Sequence, residues 1–453
     1  MAAGKETCQH EVLLLECSPW AEEAGFERPD AAKRLAATTK TGRNPLSARG
    51  KSVKTLKKLS QNSAEQLCPS FPGPLLLPKD ELNWEPDYPP QSFRSWLINL
   101  ARNKPTPERR TIYVAAAPTV TPSVSFMNGW TQPTTAAVDD TNRLEPPPAD
   151  ASIQYLRAFY YGLDVKPFPQ QLQFVSWIED MRHVRPDNDI SYVGLADNYS
   201  CTRIRTRIPP DKKFEQQLNL NDVLDATIRM LPDDAYAIVL LMNFDMYEDV
   251  EDDFCCGRAY GGSRVCVVSS ARYHPALDTG EGIDYQHMWP TSHCMRFVDE
   301  VCAIEGLKPQ EHKKTAYGTQ DSPLQQAVEA SRMIATPSTV DELRGLWFSR
   351  VARTVAHELG HCVGLDHCIY YACSMQGTAG IAEDVRQPPY LCPVCLVKVA
   401  YAIACELQGQ DNAGMEKYIK ERYRTIAEFC SAWKHVGFFA SYGAWVLARL
   451  QQI

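Results

Sequence analysis

The chain has 453 residues, 44% of them apolar and 23% charged, an ordinary globular balance with ample length for a large core. A net charge of −8 leaves no basic excess to neutralise phosphates, which argues against nucleic acid as a partner. The longest apolar run near the N-terminus, residues 12–15, is too short for a signal-peptide core, and no stretch approaches a bilayer span. The expectation is a soluble intracellular protein with no membrane partner. It reads as cytoplasmic, and the basic residues 43–58 leave a nuclear address open.

Residues 1–84 read as a disordered or extended N-terminal tail, because 43–58 is poor in large apolar residues and 69–90 is rich in proline. Order should begin near Ser92. Residues 110–116 carry the β-branched and aromatic pattern of a strand. A Pro/Thr-rich loop at 118–148 precedes a helix at 150–161 that closes at Gly162. A second helix at 221–231 leads into the strongest strand, 235–243, a continuous apolar run of the kind buried on both faces. A turn at Gly261 and Gly262 should open another strand at 264–270. Residues 275–336 look irregular with two short helices, one starting at Ser322-Pro323.

The longest helix should cover 340–363. Ser338 or Thr339 can cap it, Asp341 and Glu342 are placed to complete a capping box, and Val340, Leu343, Trp347, Val351, Val355 and Cys362 form one apolar stripe. Gly364 ends it. Amphipathic helical segments follow at 415–435 and 438–450. The fold class is therefore α/β (α+β): a mixed sheet with packed helices, then a mostly helical C-terminal part. The divisions are a tail at 1–84, an N-terminal subdomain at 85–364 and a C-terminal subdomain at 365–453.

The chemistry concentrates in His357-Glu-Leu-Gly-His361-Cys-Val-Gly364-Leu-Asp-His367. Histidines four apart on a helix lie one turn apart on one face, so both can meet a single ion. A straight helix would carry residue 367 roughly 15 Å along the axis from residue 357, too far for a shared metal. Gly364 can take positive φ and turn the chain back so that His367 reaches the site. Three neutral imidazoles around zinc leave an open position for water, which the ion acidifies to a pKa of about 7. Glu358, off the ligand row but beside that position, is the candidate general base.

Sixteen cysteines in a chain with no mark of secretion suggest metal ligands where they cluster and buried thiols where they scatter. Cys368 and Cys373 have four residues between them and Cys392 and Cys395 have two, a spacing suited to a closed, structural zinc site. Disulfides or an iron–sulfur cluster are the competing readings.

The stretch from His357 through Lys398 resembles the archaemetzincins, a family of metzincin zinc metallopeptidases with an additional zinc site made of four cysteines. The resemblance implies that His357, His361 and His367 hold the catalytic zinc and that Glu358 is the base. It also places Met375 as the Met-turn residue beneath the metal and Cys368, Cys373, Cys392 and Cys395 around a second zinc. Lys398 stands where the family tends to have lysine. Fainter likenesses at 110–114, 158–165 and 268–273 extend the implied metzincin-like core to about residues 85–400. By the same analogy strand 264–270 would be the sheet edge that pairs with extended substrate, and residues 376–390 would wall the specificity pocket. Gly377 occupies the place of a tyrosine ligand found in some metzincins, so no such ligand is expected.

Other candidates read blandly. Residues 245–253, six of them acidic, suggest a solvated loop, and Cys255, Cys256 and Cys362 suggest buried thiols. His274, His287, His293 and His312 lack ligand spacing and read as surface or satisfied histidines. The expected function is zinc-dependent hydrolysis of peptide bonds in a peptide or protein substrate, with two zinc ions per chain. The alternative is a catalytically inactive, zinc-stabilised interaction module. Substrate identity and oligomeric state are not legible.

Overall fold

The run Ala-Tyr-Ala-Ile-Val-Leu-Leu-Met forms the central strand, Ala235–Met242, and every residue of it is buried. Successive side chains of a strand point to opposite faces. Ala237, Val239 and Leu241 accordingly enter one apolar cluster, while Ile238, Leu240 and Met242 enter another. Both faces are covered, which is why the run shows no polar alternation. The computed structural model describes residues 8–46, 70–80, 88–135, 144–177, 191–260, 262, 264–307 and 322–453.

The main sheet has five strands in the order Gly257–Tyr260, Val265–Ser269, Ala235–Met242, Thr111–Ala115 and Asp164–Pro167. All neighbours are parallel except the first pair. A six-stranded sheet, which includes Cys201–Arg207, accompanies it. Helix Leu220–Arg229 joins that side of the core. The strand anticipated at 264–270 is interior, and the edge belongs to Gly257–Tyr260, antiparallel to it. The four residues of that edge strand lack an apolar signature, so sequence pattern favoured its neighbour.

Across the other face lies the long helix, Val340–Cys362. Its start matches the expected capping box: the Thr339 hydroxyl accepts from the Glu342 N–H, and the Glu342 carboxylate accepts from the Thr339 N–H. The single apolar stripe is only part of its packing. Residues 345–360 are buried all round. The arginines within that stretch are neutralised by carboxylates from other segments. Arg350 makes a two-pronged contact with Asp278 at 2.7 and 2.8 Å, and Arg353 pairs with Asp384.

Helices Ala149–Phe159, Asn412–Ala432 and Gly437–Leu450 pack in the same apolar cluster as the long helix. That cluster draws residues from Ala37 to Val446, so the segments on either side of residue 365 share one core. Helix Pro323–Arg332 starts where expected, with the Ser322 side chain accepting from the Gln325 N–H.

The N-terminal segment departs from expectation. It holds short helices at Trp20–Glu23 and Ala31–Ala37, and it is packed: Leu13 and Leu15 with Leu324 and Val328, and Leu14 with Leu75, Leu77 and Val298. Its backbone groups are paired, Leu14 N–H to the His293 carbonyl at 2.7 Å and Gly73 N–H to the Leu15 carbonyl at 2.9 Å. Short apolar triplets separated by proline have no helical or strand period, so their burial is invisible locally. Residues 47–58 of the basic stretch, and His312, lie outside the described residues.

Candidate active site

The last two turns of the long helix carry His357, Glu358 and His361, and the chain then reverses at Gly364 with φ +87°. An L side chain rarely adopts that angle, and a β-carbon there would also press on Arg102. The reversal returns His367 to the other two histidines. Ring centroids stand 4.8 Å apart for His357 and His361, 5.0 Å for His361 and His367, and 5.4 Å for His357 and His367. One ligand atom from each lies within 4.8 Å of the others.

The hydrogen bonds select the nitrogens that face inward. Nδ1 of His357 meets the Ser374 carbonyl at 2.6 Å, and Nδ1 of His361 meets the Leu365 carbonyl at 2.7 Å. A carbonyl only accepts, so each Nδ1 carries the proton and each Nε2 presents a lone pair. The two Nε2 atoms are 3.1 Å apart. A tetrahedral ion with bonds of about 2.0–2.1 Å would hold them about 3.3 Å apart. Burial keeps all three rings neutral: His357 lies well below its ordinary pKa, His361 is lowered, and His367 falls to about 3, its neighbours among the rings adding to the effect for His357 and His367. The donor set fits a zinc ion, which binds neutral imidazole.

Glu358 is buried beside the edge strand, where a β-carbon at Gly257 would come within 3.1 Å of its Cγ. Burial raises its carboxyl to about 8, against the opposing pull of Arg353 and Arg258. A cavity of about 500 Å³ opens here, lined by Gly257, Arg258 and Ala259 on one side and Glu358, His361 and His367 on the other. Residues 376–390, anticipated as a cleft wall, are absent from that lining. Asp384 among them is instead buried against Arg353.

Met375 lies under the helix, and a β-carbon at Gly360 would overlap its sulfur. This explains the glycine inside the motif. Gly377 occupies the place named above, and Tyr88, near the end of the proline-rich stretch 69–90, lies edge-on to His367 with centroids 4.5 Å apart.

Cys368, Cys373, Cys392 and Cys395 bring their sulfurs within 4.8 Å of one another, all of them buried. Cys368 and Cys392 Sγ stand 3.5 Å apart. A disulfide needs about 2.05 Å, whereas four bonds of about 2.3 Å to one zinc put sulfurs about 3.8 Å apart. Backbone N–H groups of Cys392 and Met375 point at Cys373 Sγ, at 3.3 and 3.5 Å. Donation from the other three thiols holds Cys368 well below the usual thiol range. Cys392 caps helix Pro393–Ala400 and Cys395 sits in its first turn, where the helix dipole favours thiolate.

Sequence reasoning missed what supports the turn at Gly364. The last carbonyls of a helix have no partner within it. Here Asn103 Nδ2 donates to the Cys362 carbonyl at 3.3 Å, Trp96 Nε1 to Val363 at 3.1 Å and Gln91 Nε2 to Gly364 at 2.9 Å. Lys398, fully buried, donates to the Gln91 carbonyl and Oε1 at 2.6 and 2.7 Å. These partners lie far from the turn in sequence, and nothing local announces them.

The profile of Peptidase family M54 matches residues 314–401. Archaemetzincin-2 of Homo sapiens is 24% identical over 347 residues, 76% of this chain and 73% of its own. Archaemetzincin-1 of Homo sapiens is 26% identical over 216 residues, 48% of this chain and 37% of its own. The solved archaemetzincin of Methanopyrus kandleri is 16% identical and covers 66% of this chain and 97% of its own, with a TM-score of 0.31. Over residues 314–401 the chain matches peptidase family M54, and over about three quarters of its length it is similar to the archaemetzincins.

Proposed function

We propose that the chain hydrolyses peptide bonds at the His357, His361 and His367 cluster, with Glu358 as general base, and that the four cysteines hold a second, structural zinc. The observation that carries this reading is Glu358 itself, a carboxyl buried in the same cavity as two of the histidines. A protein that only bound partners would gain nothing from burying an acid there, since burial without a full partner is costly. A zinc ion on the histidines would supply Lewis acidity and acidify a bound water.

The chain's own residues supply the rest. The carbonyls of Ser374 and Leu365 fix two imidazoles in the liganding tautomer. Glu358, buried in the cavity beside His361 and His367, would take a proton from attacking water and return it to the leaving amine. Gly257–Tyr260, the outermost strand of its sheet, runs along the cleft and offers backbone groups to an extended peptide. That gives a sequence-tolerant grip.

The test is peptide-library cleavage by wild type and Glu358→Gln, each with its metal content measured. A fall of about 10²–10⁴-fold in cleavage with metal content unchanged is expected. A metal-replete wild type that cleaves no peptide would overturn the reading in favour of a zinc-stabilised interaction module.

A further inference from the structure

We propose that Cys8, His287 and Cys294 form a third metal site, which binds a thiophilic divalent ion such as zinc and staples the N-terminal segment to the middle of the chain. Among the described residues, three groups bring His or Cys ligand atoms within 4.8 Å of one another: the histidines of the cleft, the four cysteines and this trio. It lies outside the lining of the catalytic cleft and plays no part in the chemistry proposed there.

Cys8 and Cys294 Sγ are 3.5 Å apart, the same separation as Cys368 and Cys392 in the four-cysteine cluster. That is far beyond a disulfide bond of about 2.05 Å and close to the spacing of about 3.8 Å across a tetrahedral zinc. The imidazole is prepared in the manner of a metal ligand. Nδ1 of His287 meets the Asp284 carboxylate at 2.7 Å, which fixes the proton on Nδ1 and frees Nε2. Nε2 is buried with the two thiols as its polar neighbours. The ring is further held by stacking on Phe297, with centroids 4.1 Å apart and planes 8° from parallel. The Cys8 N–H donates to the Gln286 side chain at 3.1 Å, anchoring the N-terminal ligand.

His10 packs against His287 but is not among the clustered ligand atoms. Its ring lies edge-on to His287 with centroids 5.2 Å apart, within the range spanned by the cleft histidines. Its ring nitrogens are buried beside the Gln286 backbone without a well-aligned hydrogen bond, and its backbone is held at φ +47°, uncommon for a side-chain-bearing residue. Two thiolates and a neutral imidazole balance a divalent cation without excess charge. The consequence is mechanical: Leu13 forms a bridge with Cys294, and Met295 N–H bonds the Val12 carbonyl at 2.9 Å, so the ion would clamp the strand-like segment that completes the core. His287 thereby passes from a histidine read as bland to a ligand. The signal was unreadable in sequence because Cys8 lies 286 residues from Cys294.

The test is zinc content of the full chain, purified under reducing conditions, for wild type and for Cys8→Ser/Cys294→Ser. The double variant should hold one zinc fewer per chain and cleave peptides as wild type does. Asp284→Asn, which keeps every ligand, should weaken zinc at this site about 10–100-fold in competition with a chelating dye. Equal zinc content in wild type and double variant would overturn the proposal, as would a Cys8–Cys294 disulfide in the peptide mass map, or unaltered affinity in Asp284→Asn.

Discussion

The histidine and cysteine clusters follow each other within 39 residues of chain, yet they meet solvent in opposite ways. Two of the three histidines line an open cavity, while all four cysteines are enclosed. An open donor set leaves room for a substrate and water, whereas a closed one only fastens chain to chain. The two are also wired in series. The carbonyl that orients His357 belongs to Ser374, between Cys373 and Met375, and His367 is followed directly by Cys368. The cysteine loop therefore positions two of the three cleft histidines.

That asymmetry gives the largest expected effect. Cys392→Ser/Cys395→Ser should empty both clusters of zinc and cut peptide cleavage by more than about 100-fold, the scale of losing the base itself. His361→Ala should empty the cleft alone. Metal analysis breaks the comparison if the cysteine variant keeps zinc in the cleft, or if His361→Ala loses zinc from the four cysteines.

Next comes acid. The folded-state pKa of each cleft histidine is depressed below the ordinary 6.5, to about 3 for His367. The unfolded chain therefore binds more protons in this window, and stability rises with pH there. Metal-free protein should lose stability as pH falls from about 6.5 towards 3, read from denaturant midpoints across that range. His361→Ala, which removes one of these groups, should flatten the slope.

Gln91→Ala sharpens the comparison at smaller scale. It removes the donor to Gly364 and the link to Lys398, loosening the turn that presents His367. Zinc affinity in the cleft should fall about 10–100-fold with the cysteine site unaffected, measured by chelator competition. The smallest effect belongs to the far end of the helix. Thr339→Ala should cost about 1 kcal/mol in denaturant melts and leave both metal contents intact. Glu342, held at about 2 by donation from the Ser338 and Thr339 backbone, adds stability that is present above its ordinary 4.5 and lost as pH falls through about 2.

Much of the fold was legible because its signals are local. The apolar run at Ala235–Met242, the cap at Thr339 and the glycine at 364 each act within a few residues of themselves. The edge strand was misread because a four-residue strand has too few positions to carry a pattern. The N-terminal segment was misread because its leucines are buried by residues some 60 to 310 positions away. Arg350 and Arg353 look like solvent-facing residues of an amphipathic helix until Asp278 and Asp384 arrive to neutralise them.

The sequence by itself singled out the candidate ligands and base between His357 and Cys395, because ligand spacing and helical period are properties of neighbours. Only the tertiary structure decided which cluster is open, which strand borders it, and what holds the turn between His361 and His367. Those depend on Gln91, Asn103, Ser374, Lys398 and the strand Gly257–Tyr260 meeting across long stretches of chain, and a contact of that kind leaves no mark in the local pattern of either partner.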